Sequence, residues 1–184
     1  MATHEPSFLV ITGGPGSGKT TLIEHLAGRG YAHVPEVGRG IIQAQTAIDG
    51  PALPWRDRAL FAEMMLGWEL RSHAMAHRLA GPVLFDRGVP DVVGYLRLEG
   101  LPVPDHVMRA AGQVRYARQV FIAPPWPAIY RQDAERRQDG GTARRTCEAM
   151  IQVYGELGYE LIELPRSTVA ERAAFIGAVI GPPG

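Results

Sequence analysis

Residues 7–12, Ser-Phe-Leu-Val-Ile-Thr, hold an apolar run without polar alternation, the pattern of a central parallel strand covered on both faces. The period then becomes helical, with a start in Gly18-Lys19-Thr20, a stripe of Leu22, Ile23, Leu26 and Ala27, and a stop at Gly28 and Gly30. Residues 31–34 predict a second strand closed by Pro35. Residues 38–48 predict a helix, with Ile41, Ile42, Gln45 and Ile48 at helical spacing and Gly50-Pro51 as its end. The longest periodic segment, 56–79, has Leu60, Met64, Trp68, Met75 and Leu79 among its apolar positions and predicts a long helix packed on the sheet. Gly81-Pro82 breaks it, and Val83-Leu84-Phe85 predicts a third buried strand ending at Asp86. Two short helices around 91–98 and 105–111 precede a fourth strand at 119–123, cut off by Pro124-Pro125. A helix over 143–157 would present Cys147, Met150, Ile151, Tyr154 and Leu157 on one face, and 159–164 predicts a fifth strand. Thr168 with Glu171 three residues on is a capping-box signal for a last helix ending near Ile180.

Strands alternating with helices predict an α/β fold, a doubly wound five-stranded parallel sheet with helices on both faces. At 184 residues the chain suits a single domain over 1–184, with a small excursion at about 126–145. No apolar run approaches the ~20 residues of a membrane span, so no membrane partner is expected. The N-terminus lacks the basic region and cleavage pattern of a signal peptide. One cysteine, Cys147, excludes an intramolecular disulfide and fits a reducing cytoplasm; it reads as a buried helix residue. Nineteen basic and nineteen acidic side chains cancel, leaving no global field for nucleic acid. Lys19 is the only lysine among those nineteen basic residues.

That lysine lies in Gly13-Gly14-Pro15-Gly16-Ser17-Gly18-Lys19-Thr20, which satisfies the Walker A spacing with a strand before it and a helix after. Backbone N–H groups of such a turn converge on phosphate oxygens, in dihedrals that a Cβ would obstruct, and the helix N-terminus adds partial positive charge. Gly14, Pro15, Gly16, Ser17, Gly18, Lys19, Thr20 and Thr21 are therefore expected around the phosphates of ATP or GTP. Lys19 should reach the β/γ-phosphates and Thr20 should ligate Mg²⁺.

Asp86 ends the third strand and Glu36 follows the second. In a doubly wound sheet the carboxyl ends of the strands open onto one crevice, so both acids should face the nucleotide. One can hold Mg²⁺ and the other can accept a proton from an attacking hydroxyl. Alternatively, Asp86 caps the next helix and Glu36 pairs with a nearby arginine. Hydrolytic P-loop ATPases commonly carry Asp-Glu at this strand end; here the second residue is Arg87, better suited to an anionic or polyhydroxy acceptor. That favours transfer to a small-molecule substrate over hydrolysis.

Arg131, Arg136, Arg137, Arg144 and Arg145 fall within fifteen positions, interrupted by Gly140-Gly141 as a possible hinge. A mobile, guanidinium-bearing lid suits phosphoryl transfer, because it excludes water and neutralises charge; the alternative is a solvated helical face. GGPGSGKT, VPE, FDRG and RRQDGGTARR together resemble small P-loop kinases of the nucleoside and nucleotide type. They resemble especially the AAA-like predicted ATPase/kinase group related to ribosylnicotinamide kinase domains. The resemblance implies Lys19 and Thr20 on phosphate and Mg²⁺, Asp86 or Glu36 as base, Arg87 on the acceptor, and Arg131, Arg136 and Arg137 on the nucleotide's γ-phosphate. It also implies adenine near Pro165-Arg166-Ser167. The triplet Asp86-Arg87-Gly88 departs from the nucleoside and thymidylate kinases in lacking Ser or Tyr after the arginine.

Trp55, Phe61 and Trp68 could stack on a flat acceptor or pack in the core. His73 and His77 lie one helical turn apart, without the HExxH pattern of a zinc site. The expected activity is a Mg-ATP-dependent kinase for a small metabolite; the alternative is a nucleotide-dependent ATPase or switch acting on a partner protein.

Overall fold

A computed structural model describes residues 7–129 and 140–183. Five strands, β1 (Phe8–Gly13), β2 (Ala32–Val34), β3 (Val83–Asp86), β4 (Gln119–Ala123) and β5 (Glu160–Glu163), form one all-parallel sheet in the order β2-β3-β1-β4-β5. Among the described residues seven α-helices accompany them: α1 (Lys19–Ala27), α2 (Val37–Ala47), α3 (Arg58–Ala76), α4 (Val89–Leu98), α5 (Asp105–Gln113), α6 (Gly140–Glu156) and α7 (Val169–Ile180). This is the doubly wound α/β fold that the alternation of strands and helices predicts.

Successive side chains on the central strands enter two different cores, because a strand's period is two. Phe8, Val10, Val83, Phe85, Val120 and Ile122 pack against Cys147, Met150 and Tyr154 of α6. Leu9, Ile11, Leu84, Phe121 and Ala123 pack against Leu22, Ile23 and Leu26 of α1 and Ala173 and Ile176 of α7. A third core joins α3, α4 and α5 through Leu66, Val92, Leu96 and Val107. Cys147 is thus a buried core residue. The capping box at α7 is present, with the Glu171 amide donating to the Thr168 hydroxyl at 3.3 Å.

Three local expectations need correcting. Along α3 the buried residues are Phe61, Ala62, Leu66, Glu69 and Ala76, while Leu60, Trp68, Met75 and nearby Leu79 are exposed. Apolar residues surround this helix almost completely, so spacing did not choose a face; packing on α2 and α4 did. On α6, Ile151 is exposed and Val153 takes the inward position. Gly140 and Gly141, read as a hinge, form the first turn of α6.

Strand register brings the loops together. Ile11 lies opposite Asp86, Gly13 opposite Ala123, and Val34 opposite Phe85. The turn after β1, the acid ending β3 and the acid two residues past β2 therefore share one edge of the sheet. This edge includes the point where the chain switches direction around β1, the place where doubly wound sheets bind ligands.

Candidate functional site

The turn between β1 and α1 is built by backbone constraints. Gly13 has φ 131°, and a Cβ there would strike the Ala123 carbonyl oxygen; Gly18, the residue before α1, has φ 78° in the left-handed region. No side chain caps α1, and no acidic residue lies in its first turn. Its leading amides, which no carbonyl of the helix can serve, suit an anion supplied by a ligand.

Lys19 lies buried across the turn. Its Nζ donates to the carbonyls of Gly13 (3.2 Å) and Gly14 (2.7 Å) and to Ser17 Oγ (3.3 Å). Ser17 Oγ donates to the Gly14 carbonyl at 2.8 Å, tightening the loop. From behind, the buried guanidinium of Arg172 on α7 donates to the Ser17 carbonyl at 3.0 Å. Sequence inspection missed Arg172, because it falls in an ordinary helical stripe 155 residues away in the chain.

Thr20 Oγ1 donates to Asp86 Oδ2 at 3.3 Å. Asp86 is buried, and its Oδ1 has no hydrogen-bond partner among the described residues. Burial, and then the Glu36 carboxylate, push the Asp86 carboxyl up to about 6, against the pull of Lys19, Arg87 and the Thr20 hydrogen bond. A hydroxyl beside a carboxylate with an orphaned, desolvated oxygen is a hard oxygen donor set. It fits Mg²⁺, which takes few protein ligands and completes its shell with phosphate and water.

Arg87 follows Asp86 with φ 75°, a left-handed conformation costly for a residue with a Cβ. That turn directs its side chain back over the crevice. Nε donates to Glu36 Oε1 at 3.0 Å, and Nη1 to the Gly13 carbonyl (3.0 Å) and Asp91 Oδ1 (3.2 Å). Burial disfavours its charge, but Glu36, Asp91 and Asp86 outweigh that and raise its pKa. Arg87 and Glu36 are therefore brought together as a pair. Asp91 also accepts from Thr12 Oγ1 (2.5 Å), the Gly88 amide (3.0 Å) and Tyr154 Oη (2.7 Å), locking β1, β3, α4 and α6 into one network. The hydrophobic pattern located Asp91 as a helix start and nothing more.

Beside this network a cavity of about 440 Å³ opens among α2, α3, α4 and α6. It meets the phosphate loop at Pro15 and carries Glu36, Arg87, Trp55, Phe61, Glu69 and Tyr95 on its walls. Trp55 and Phe61 thus face it, whereas Trp68 lies against Gly40. His73 and His77 sit outside it, edge-on to Phe8 at 4.8 Å each. Arg131, Arg136 and Arg137 lie outside the described residues; Arg144 and Arg145 are exposed on α6, and Arg145 reaches the cavity. Arg166 donates to the Pro125 carbonyl at 3.3 Å, linking the loops after β4 and β5.

Glu69 is the unexpected occupant of the wall. It is only 2% exposed. Burial, then Asp91, Asp86 and Glu36, hold its carboxyl well above the usual range, with Arg87 opposing. A carboxyl raised in the folded state loses no stability below its ordinary value of 4.5. As pH climbs from there, the unfolded chain ionises while the fold resists, so stability falls until the folded pKa is passed. Glu69→Gln should therefore melt higher than the parent at about pH 8 and close to it at about pH 4, measured by thermal unfolding. An equal difference at both pH values would contradict the assignment.

A family model described as AAA domain matches residues 8–172. No curated protein sequence matches the chain. Among solved structures, the NadR protein in complex with NR aligns with TM-score 0.77 at 17% identity, covering 97% of this chain and 52% of that one. NadR in complex with NAD and AMP-PNP aligns with TM-score 0.73 at 15% identity, covering 97% and 50%. Deoxyadenosine kinase from M. mycoides, with products dCMP and a flexible dCDP bound, aligns with TM-score 0.63 at 16% identity, covering 94% and 97%. The chain spans about half the length of the NadR chains it matches. At these identities the likeness is one of fold, a P-loop kinase fold. No helix among the described residues is long and apolar enough to cross a membrane.

Proposed function

The chain belongs to the AAA domain family, and on that premise we propose that it is a Mg²⁺- and ATP-dependent phosphotransferase carrying the γ-phosphoryl group to a hydroxyl of a small, nucleoside-like acceptor. The observation that carries this reading is the cavity beside the phosphate loop, walled by Glu36 and Arg87 where an acceptor would meet the γ-phosphate. An enzyme that used only water would need no such chamber. The ligands named for the NadR and deoxyadenosine kinase structures support an acceptor of nucleoside type.

In this reading the amides of the turn and Lys19 hold the β- and γ-phosphates, and Arg172 stiffens the turn from behind. Thr20 and Asp86 would hold Mg²⁺, which supplies charge neutralisation on the phosphate oxygens. Glu36, fixed by Arg87 at 3.0 Å, accepts the proton of the acceptor hydroxyl. That oxygen bonds to the γ-phosphorus as the bridging β,γ P–O bond breaks, and ADP leaves with the electron pair. Arg87 faces both Glu36 and the acceptor space, so its first task is to aim the base. Arg131, Arg136 and Arg137 remain assigned to the γ-phosphate by resemblance. One cysteine and a need for ATP favour the cytoplasm as its compartment.

The test is incubation with γ-labelled ATP, Mg²⁺ and a panel of nucleosides and nucleotides. Label should appear in one acceptor class. Label released only as inorganic phosphate with every acceptor would overturn the reading in favour of an ATPase or switch.

A further inference from the structure

The cavity wall carries a carboxylate that the phosphoryl-transfer machinery does not employ. Glu69 on α3 is buried, lines the cavity, and has no hydrogen bond or ion pair among the described residues. Arg87 donates to Glu36 and Asp91 and Tyr154 Oη donates to Asp91, so none of these hydrogen bonds reaches Glu69. Tyr95 lines the same cavity, and its hydroxyl is buried without a hydrogen-bond partner among the described residues. A nearly buried carboxyl that opens onto a cavity without a protein donor is completed at least cost by a donor that a ligand brings.

The surroundings indicate the ligand's chemistry. Glu36, Asp91 and Arg87 together carry one excess negative charge, and Glu99 and Arg145 elsewhere on the lining offset each other. Phe61 and Trp55 supply flat apolar surface. Aromatic walls with an acidic end favour a planar group whose edge offers N–H donors or positive charge, and disfavour a ring that presents only carbonyl oxygens.

We propose that Glu69 selects the acceptor, accepting from the edge of a planar heteroaromatic ring that bears an amino group or a positive charge. The inference rests on reading this cavity as the acceptor site, and Glu69 is a specificity residue with no part in the transfer step. A donor or cation brought by the ligand would favour the ionised carboxylate and oppose the burial that raises its pKa.

Acceptor binding is measured by calorimetry with a non-hydrolysable ATP analogue present, so that no turnover is required. Cytidine and adenosine are paired against uridine and inosine, and an N-ribosylpyridinium forms a separate arm. The unmodified protein should favour amino or cationic rings by about 10-fold or more. Glu69→Gln should bring that ratio close to one while leaving analogue affinity unchanged; which arm binds tighter identifies amino group or ring charge as the source. Equal affinity for amino and carbonyl rings, no binding of any ring, or an unaltered ratio in Glu69→Gln would overturn the proposal. Ring discrimination without phosphoryl transfer would instead count against the kinase reading and leave this assignment standing.

Discussion

Lys19→Ala is expected to weaken Mg-ATP binding by roughly 30- to 150-fold. Charge-assisted hydrogen bonds to phosphate contribute about 2–3 kcal/mol net when buried, and each 1.4 kcal/mol is tenfold in affinity. Lys19 is buried at the turn, with Nζ 2.7 Å from the Gly14 carbonyl. The turn thus preorganises the ammonium where the β/γ-phosphates would lie, and little ordering cost is left for binding. No other lysine exists in the chain to substitute. Arginine would not replace it, because a planar fork cannot occupy the space of a compact ammonium wrapped by three loop oxygens. Calorimetry with a non-hydrolysable analogue reads the effect directly. Wild-type affinity in the variant would refute the phosphate-loop assignment, provided thermal unfolding shows that the loss of loop hydrogen bonds has not changed the fold.

The sequence discloses features whose physics is local. Glycines at special dihedrals, the apolar run before them and the strand ends at Asp86 and Glu36 were readable, because each depends on a few adjacent residues. What escaped was set by residues distant in sequence. Glu69 interrupts the buried stripe of α3, and an apolar pattern assigns a glutamate to solvent. Its burial depends on α4 and on the cavity, which no window of α3 contains. Asp91 looked like a first-turn acid of α4. Its service to Thr12, Arg87 and Tyr154 needs partners 79, 4 and 63 residues away, respectively. Arg87 was assigned to an acceptor from residue type. Its left-handed backbone, which turns it onto Glu36, is a property of the crossing between β3 and α4.

Asp86→Asn is expected to lower kcat by roughly 10³-fold while nucleotide binding without metal stays within a few-fold of the parent. Asparagine preserves the shape and can still meet the Thr20 hydroxyl, so the loop should stand. What disappears is a buried negative charge whose Oδ1 has no partner among the described residues. Two roles share that charge, and they separate by experiment. If Asp86 holds the ion, the variant should need much more Mg²⁺ for half-maximal activity. If Asp86 takes the proton, the Mg²⁺ requirement should be unchanged. Glu36→Gln is the complement. Glu36 is held by Arg87 at 3.0 Å on the cavity wall, so its loss should lower kcat with an unaltered Mg²⁺ requirement. The proximity of Asp86 to Thr20 favours the metal role for Asp86 and leaves the proton to Glu36. The reverse pattern, in which Glu36→Gln raises the Mg²⁺ requirement and Asp86→Asn does not, would exchange the two assignments. Wild-type turnover in Asp86→Asn would remove Asp86 from both.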